Sequence, residues 1–174
     1  MDNSFFSYLQ QLELLAFFSG YSLIYAVTFF IAGKQRLKND FKDRIVSLLP
    51  FSYALVGTLY LALQLKNLYP DYSIENIKLT MQHPLLTAWG LLAILFWIPA
   101  FRQKKVLCLA HNLVFFFLLV RDLFLQLFAL HGDTNIIGND MKIYTYSLIL
   151  NLGIFALIVL LSFSFLYFKK RLRY

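Results

Sequence analysis

Residues 143–173 read IYTYSLILNLGIFALIVLLSFSFLYFKKRLR, and this stretch decides the fold. Its first 26 residues carry no charge, whereas four of its last five are basic. About 20 apolar residues are enough for a helix to cross a hydrocarbon core of roughly 30 Å. The stretch is therefore predicted to be a membrane-spanning helix, at about 143–168, that ends in a cationic segment.

Four more apolar stretches precede it, at about residues 12–33, 45–65, 84–101 and 106–130. Lipid offers no partner to exposed backbone N–H and C=O groups, so each stretch is predicted to be a helix. The chain is 60% hydrophobic and 14% charged, whereas soluble domains average about 45–50% apolar and roughly 25% charged residues. The predicted fold is all-α: a single transmembrane domain over residues 1–174, built as a polytopic integral membrane bundle of five helices.

Basic residues are concentrated in every second segment between the apolar stretches. Twelve of the sixteen Lys and Arg follow the first, third or fifth stretch: Lys34, Arg36, Lys38, Lys42, Arg44, Arg102, Lys104, Lys105, Lys169, Lys170, Arg171 and Arg173. Cationic loops stay on the cytoplasmic side, so the N-terminus is predicted outside and the C-terminus in the cytoplasm. The net charge of +7 is attributed to these loops facing anionic lipid, and no nucleic acid is expected as a partner.

Two outer segments connect the spans. Within the longer one, residues 66–83, Ile74, Ile77 and Met81 fall on one helical face. A short amphipathic helix lying on the membrane surface is predicted there. The other segment, residues 131–140, is rich in Gly, Asn and Asp, which favours a solvated turn.

Two charged residues, Arg121 and Asp122, interrupt the apolar run of the fourth span. A charge at the bilayer centre costs about 2.5–3.5 kcal/mol on insertion scales, so a protein or water partner is expected. Asn151 lies at matching depth in the fifth span, which also contains Ser147 and which the short loop makes a neighbour of the fourth. We predict that one of them contacts Arg121 or Asp122. The favoured interpretation is a polar clasp that holds helices or a partner in register, and the alternative is a proton or ion path.

His111 lies on the same helical face as Asp122, about three turns away. The apolar Phe115 lies between them and interrupts any continuous polar path along that face. A hydrogen-bonded core histidine is therefore favoured over a ligand, with Tyr53 and Ser52 of the second span as candidate partners.

His83 and His131 are both predicted at the outer boundary, at the start of the third span and the end of the fourth. Two antiparallel helices that each present a histidine offer axial ligands to one haem b. Haem ligands in membrane bundles normally lie deeper on the helices, so no cofactor is the favoured expectation and haem b through this pair is the alternative.

No motif of a familiar reaction occurs in the sequence: it has no glycine-rich phosphate loop, zinc-protease motif or nucleophile elbow. No catalytic or metal-binding residue is therefore assigned, and an enzyme is disfavoured. The favoured function is a non-catalytic subunit or scaffold of a larger complex in the bacterial inner membrane. Its expected partners are the lipid bilayer and either another membrane protein or a second copy, because the bulky apolar faces of a small five-helix bundle, such as Phe115, Phe116 and Phe117, must meet either lipid or a partner.

Two alternatives remain open at this point. One is a redox module that binds haem b through the histidine pair. The other is a transporter, or an ion- or proton-conducting protein, that uses Arg121, Asp122 and His111.

Overall fold

The computed structural model describes residues 3–33, 40–81, 83–128 and 134–171, and all regular structure within these ranges is helical. The helices are α1 (Asn3–Phe18), α2 (Tyr21–Gly33), α3 (Asp40–Leu68), α4 (Ile74–Thr80), α5 (Pro84–Leu91), a 3-10 helix (Leu92–Trp97), α6 (Pro99–Arg102), α7 (Lys105–Phe128) and α8 (Thr134–Arg171). The all-α prediction is confirmed for this part of the chain.

Three of these helices are long and apolar enough to cross a membrane. The qualifying segments are Arg44–Leu68 in α3, Val106–Leu125 in α7 and Met141–Phe165 in α8. They coincide with the second, fourth and fifth predicted spans. A shorter apolar helix covers Pro84–Trp97, within the third predicted span.

The first predicted span, residues 12–33, is wrong as a single continuous helix. The chain forms α1 and α2 instead, separated by a turn at Ser19 and Gly20. Apolar composition alone predicts an unbroken helix. It does not show whether side chains from other helices can form hydrogen bonds with the backbone groups that a break leaves unpaired. In this protein those groups come from α8, as described below.

The segment after Pro84 winds in two different ways. Eight α-helical residues in α5 are followed by six residues of 3-10 helix. Since the 3-10 form rises about 2.0 Å per residue and the α form about 1.5 Å, these residues extend about 24 Å, compared with about 21 Å in a uniform α-helix. The 3-10 winding therefore makes this segment, which belongs to the shortest of the five apolar stretches, about 3 Å longer than a uniform α-helix of the same residues.

The predictions for the two segments expected outside the membrane have different outcomes. The predicted short helix in residues 66–83 is confirmed as α4, where the Ser73 side chain accepts a hydrogen bond from the Asn76 N–H at 3.2 Å and caps the N-terminus. The predicted turn at residues 131–140 is wrong from Thr134 onward, because α8 already begins there. The modest helix propensities of Gly and Asn do not prevent a long helix from extending through them.

The central element is α3, which packs against α1, α2, α5, α7, α8 and the 3-10 helix. Half of its most apolar window is buried inside the protein, compared with 28% for α7 and 17% for α8. The core around α3 is aromatic: Phe18 stacks on Phe115 with ring centroids 4.7 Å apart, and Tyr53 lies 4.5 Å from Tyr21. Since α3 fills the centre, α7 and α8 direct much of their apolar surface outward.

Two basic residues from different cationic segments, Arg44 and Arg102, lie at one end of the bundle. Arg44 near the start of α3, Arg102 at the end of α6 and Phe165 near the end of α8 line one cavity. We call this end of the molecule the basic end. Arg44 and Arg102, which are far apart along the chain, thus lie at the same end of the bundle.

Candidate functional site

The break between α1 and α2 is held by two polar side chains of α8. The Gly20 N–H donates to Ser147 Oγ at 2.9 Å. Asn151 Nδ2 donates to the Phe17 carbonyl at 2.8 Å and to the Ser147 carbonyl at 2.7 Å. A helix interruption leaves backbone groups without helical partners, and here Ser147 and Asn151 satisfy two of them.

This arrangement corrects the predicted contact of Asn151 or Ser147 with Arg121 or Asp122. At the depth of Asn151, the polar side of α8 faces the α1–α2 break rather than α7. The predicted contact between the fourth and fifth predicted spans is therefore not formed by these residues; Ser147 and Asn151 instead join α8 to the α1–α2 break. The physical reason is that the interrupted backbone leaves an N–H and a C=O group without helical partners. The side chains of Ser147 and Asn151 on α8 supply the hydrogen bonds that these groups lack.

Arg121 and Asp122 pair with each other. Arg121 Nη2 lies 3.1 Å from Asp122 Oδ1, and Arg121 Nε lies 3.3 Å from the same atom. The second carboxylate oxygen, Oδ2, accepts a hydrogen bond from Gln11 Nε2 of α1. Asp122 is thus tied into the bundle at 17% side-chain exposure, whereas the Arg121 side chain is 60% exposed.

The exposed guanidinium lies within a row of exposed phenylalanines. Phe117, Phe124 and Phe128 are 64%, 59% and 69% exposed and recur on the same side of α7 as Arg121. We call these four residues the α7 outer face. It presents a charge and three aromatic rings away from the core.

His111 is a fully bonded core histidine, as the sequence favours. Its Nδ1 lies 2.8 Å from the Tyr53 hydroxyl, and its Nε2 lies 2.8 Å from the Trp89 carbonyl oxygen. A carbonyl only accepts, so Nε2 carries the proton and Nδ1 accepts from Tyr53. The Trp89 indole stacks on the imidazole at 4.8 Å and donates its Nε1–H to the His111 carbonyl at 3.2 Å. Ser52, the other candidate partner, bonds Leu49 O instead.

A polar cluster at the opposite end of the bundle from the basic end was not predicted. Gln10 donates through Nε2 to Thr87 Oγ1 at 3.2 Å and accepts through Oε1 from the His83 N–H at 2.9 Å. Nearby, Asn67 Nδ2 donates to Glu13 Oε2 at 3.4 Å. The first predicted span began at residue 12 and so did not include Gln10. Because α1 begins at Asn3, Gln10 lies within the helix and can contact Thr87 and His83.

The predicted haem ligands are only partly within the described structure. His83 precedes α5, where its backbone is bonded to Gln10, whereas His131 lies outside the described residues. The haem b interpretation therefore stays a prediction. Elsewhere in the described residues, no group of three or more His, Cys, Asp or Glu side chains is placed to hold a metal ion.

It was also not predicted from the sequence that some buried side-chain amides lack hydrogen-bond partners within the described part of the chain. Asn112 is fully buried in α7, and among the described residues neither its Nδ2 nor its Oδ1 has a hydrogen-bond partner. The Oδ1 atom of Asn151 is also buried and has no hydrogen-bond partner among the described residues. An unpaired buried amide costs about 1–3 kcal/mol. The only signal in the sequence is a polar residue within an apolar helix, which does not indicate whether it finds a partner.

The chain was compared with protein families, with curated proteins and with solved structures, and none of them matches it.

Proposed function

We propose that this protein is a non-catalytic integral membrane subunit that docks to a larger membrane complex through the α7 outer face. The observation that carries the proposal is the exposed Arg121 beside Asp122. Phenylalanine side chains are equally compatible with lipid and with protein, so they do not decide the question. A guanidinium facing hydrocarbon is costly, and a protein partner removes that cost.

The chemistry of the ion pair defines the partner. Arg121 uses Nε and Nη2 for Asp122, which leaves Nη1 and further N–H groups for other acceptors. The matching partner is a transmembrane helix with a carboxylate or amide at the same depth and an apolar surface against Phe117 and Phe124. Interhelical polar contacts of this kind hold membrane helices in register.

The proposed topology has five membrane crossings, with the N-terminus outside and the C-terminus in the cytoplasm of the bacterial inner membrane. Besides the three long helices, α1 with α2 and α5 with the 3-10 helix each pack along α3. The convergence of Arg44 and Arg102 near the end of α8 is consistent with all the cationic segments lying on one membrane face. Accessibility labelling of single cysteines near each terminus tests this arrangement, and both termini on the same side would contradict it.

Substituting Arg121 tests the docking face. Arg121→Gln is expected to weaken association with the complex about tenfold, because a charge-assisted hydrogen bond to the partner is lost. The measurement is gentle detergent extraction of native membranes, followed by mass spectrometry of the intact assembly.

Lys142→Gln is the matched control, since it removes one positive charge from an exposed site on α8, a different helix from the one that carries the α7 outer face. It is expected to leave the assembly intact. If the parent chain migrates alone, with neither a partner nor a second copy, the subunit proposal is wrong. If Arg121→Gln and Lys142→Gln weaken association with the complex equally, the α7 outer face is not the docking surface.

A transporter or conducting protein is the second candidate, and the discontinuous first helix favours it. Broken helices in transporters form polar sites near the bilayer midplane. The unpaired amide of Asn112 and the unpaired Oδ1 atom of Asn151 supply buried polar groups inside the bundle. Against it, His111 has both ring nitrogens bonded, so a proton path through that residue requires those bonds to break.

Flux into liposomes separates the two candidates. If Asp122 takes part in conduction, Asp122→Asn is expected to reduce proton or cation flux by at least tenfold, since the ionisable group is lost. Under the subunit proposal, the parent protein and this variant both show the leak of protein-free liposomes.

A further inference from the structure

The cavity at the basic end has the two halves of a phospholipid site. Its volume is about 800 Å³, within the range of about 300–1,000 Å³ that is typical of small-molecule sites. Arg44 and Arg102 contribute positive charge to its lining, while Phe51, Ile158, Leu161 and Phe165 contribute apolar wall. A ligand that fills it must combine an anionic group with a hydrocarbon chain.

The cationic half is partly preorganised. The guanidinium of Arg102 lies over the ring of Phe51, with Cζ 5.8 Å from the ring centroid. Such a cation–π contact restrains the arginine against the cavity wall. Among the described residues that line the cavity, none is acidic, so the guanidiniums have no carboxylate competitor within it. Arginine is the side chain best suited to binding a phosphate through two hydrogen bonds.

The apolar half opens toward the surroundings of the bundle. Leu161 and Phe165 of α8 line the cavity and are 59% and 70% exposed. An acyl chain lying against them passes from the cavity directly into hydrocarbon. A free phosphate or a soluble sugar phosphate would leave this wall without a partner.

We propose that this cavity binds an anionic phospholipid of the adjacent leaflet, with its phosphate at Arg44 and Arg102 and an acyl chain along α8. Basic pockets between membrane helices are suited to anionic headgroups. The inference rests on the proposed placement of the basic end at a membrane face, but it is independent of the docking role of α7. If the cavity does not bind lipid, the docking proposal still stands. If the protein does not assemble through α7, the lipid proposal still stands.

The test is a lipid titration of the purified protein in detergent, followed by native mass spectrometry. Phosphatidylglycerol is expected to bind at least tenfold more tightly than phosphatidylcholine with the same acyl chains. Arg44→Gln and Arg102→Gln are each expected to weaken phosphatidylglycerol binding about fivefold, and together about 25-fold, because each basic residue near an anionic lipid surface contributes comparably.

Lys104→Gln is the matched control, since Lys104 is an exposed cation at the same end of the bundle that does not line the cavity. It is expected to change the affinity less than twofold. Leu161→Trp tests the apolar wall without touching either arginine, and it is expected to weaken binding of both lipids. Because the altered side chains are exposed, these variants are expected to fold, and their melting temperatures verify this.

Three results would overturn the proposal. One is equal affinity for the anionic and zwitterionic lipids. Another is a loss in Lys104→Gln as large as in Arg102→Gln, which indicates a diffuse surface charge effect. The third is binding of soluble glycerophosphoglycerol as tightly as the intact lipid, which shows that the acyl chain contributes nothing.

Discussion

Gly20→Ala is expected to lower the free energy of unfolding by about 3 kcal/mol, the upper part of the usual cost of overpacking. A Cβ atom on Gly20 would lie 2.6 Å from the backbone nitrogen of Leu148 and 2.8 Å from the carbonyl carbon of Ser147. Since both are backbone atoms, no side-chain rotation relieves the clash. The alternative is to move α8 away from the α1–α2 break, which also lengthens the hydrogen bond from Gly20 to Ser147.

Gly153→Ala is the matched control on α8. A Cβ atom there meets nothing within 4 Å. The variant is expected to be as stable as the parent or slightly more stable, because alanine exceeds glycine in helix propensity by about 1 kcal/mol. SDS titration in mixed micelles, followed by circular dichroism, measures both. If the two variants unfold at the same SDS fraction, α8 does not approach the break this closely.

His111→Leu is expected to destabilise the protein by about 3 kcal/mol. The change leaves the buried Tyr53 hydroxyl without its partner and removes the bond to Trp89 O. Hydrogen bonds between membrane helices contribute about 0.6–1.7 kcal/mol each. The stacking of His111 on Trp89 contributes roughly a further 1 kcal/mol.

A double-mutant cycle assigns the cost to these contacts. Tyr53→Phe removes the hydroxyl and is expected to cost about 1 kcal/mol in the parent. In the His111→Leu background the same change is expected to be neutral or stabilising, because the hydrogen bond is already absent and the unpaired hydroxyl is removed. Additive effects of the two substitutions in the mixed-micelle titration would mean that Tyr53 and His111 do not bond to each other.

The histidine network contacts the third predicted span close to its change of helix type. His111 bonds the carbonyl of Trp89 two residues before Leu91, where α5 ends and the 3-10 helix begins. Near this junction the Leu92 N–H is shared among the carbonyls of Ala88, Trp89 and Gly90. The contact with His111 and this irregular hydrogen bonding thus coincide with the change from α to 3-10 winding.

The candidate site was only partly predictable. Polar residues inside apolar segments identified Arg121, Asp122, Ser147, Asn151 and His111, and the choice of Tyr53 as a partner of His111 is confirmed. The predicted pairing of the fourth and fifth spans through Asn151 is wrong, because depth along a helix is readable from sequence but rotation about its axis is not. Two helices can match in depth and still direct their polar sides to different neighbours.

The sequence by itself determined where three long apolar helices run and that the short helix α4 follows α3. Their signals are local, since hydropathy and helix capping act over a few consecutive residues. Only the tertiary structure decided that the first predicted span is interrupted at Ser19 and Gly20. That break depends on hydrogen bonds from side chains 127 and 134 residues further along the chain. Contacts of that range form only when the bundle packs, so no window of neighbouring residues contains them.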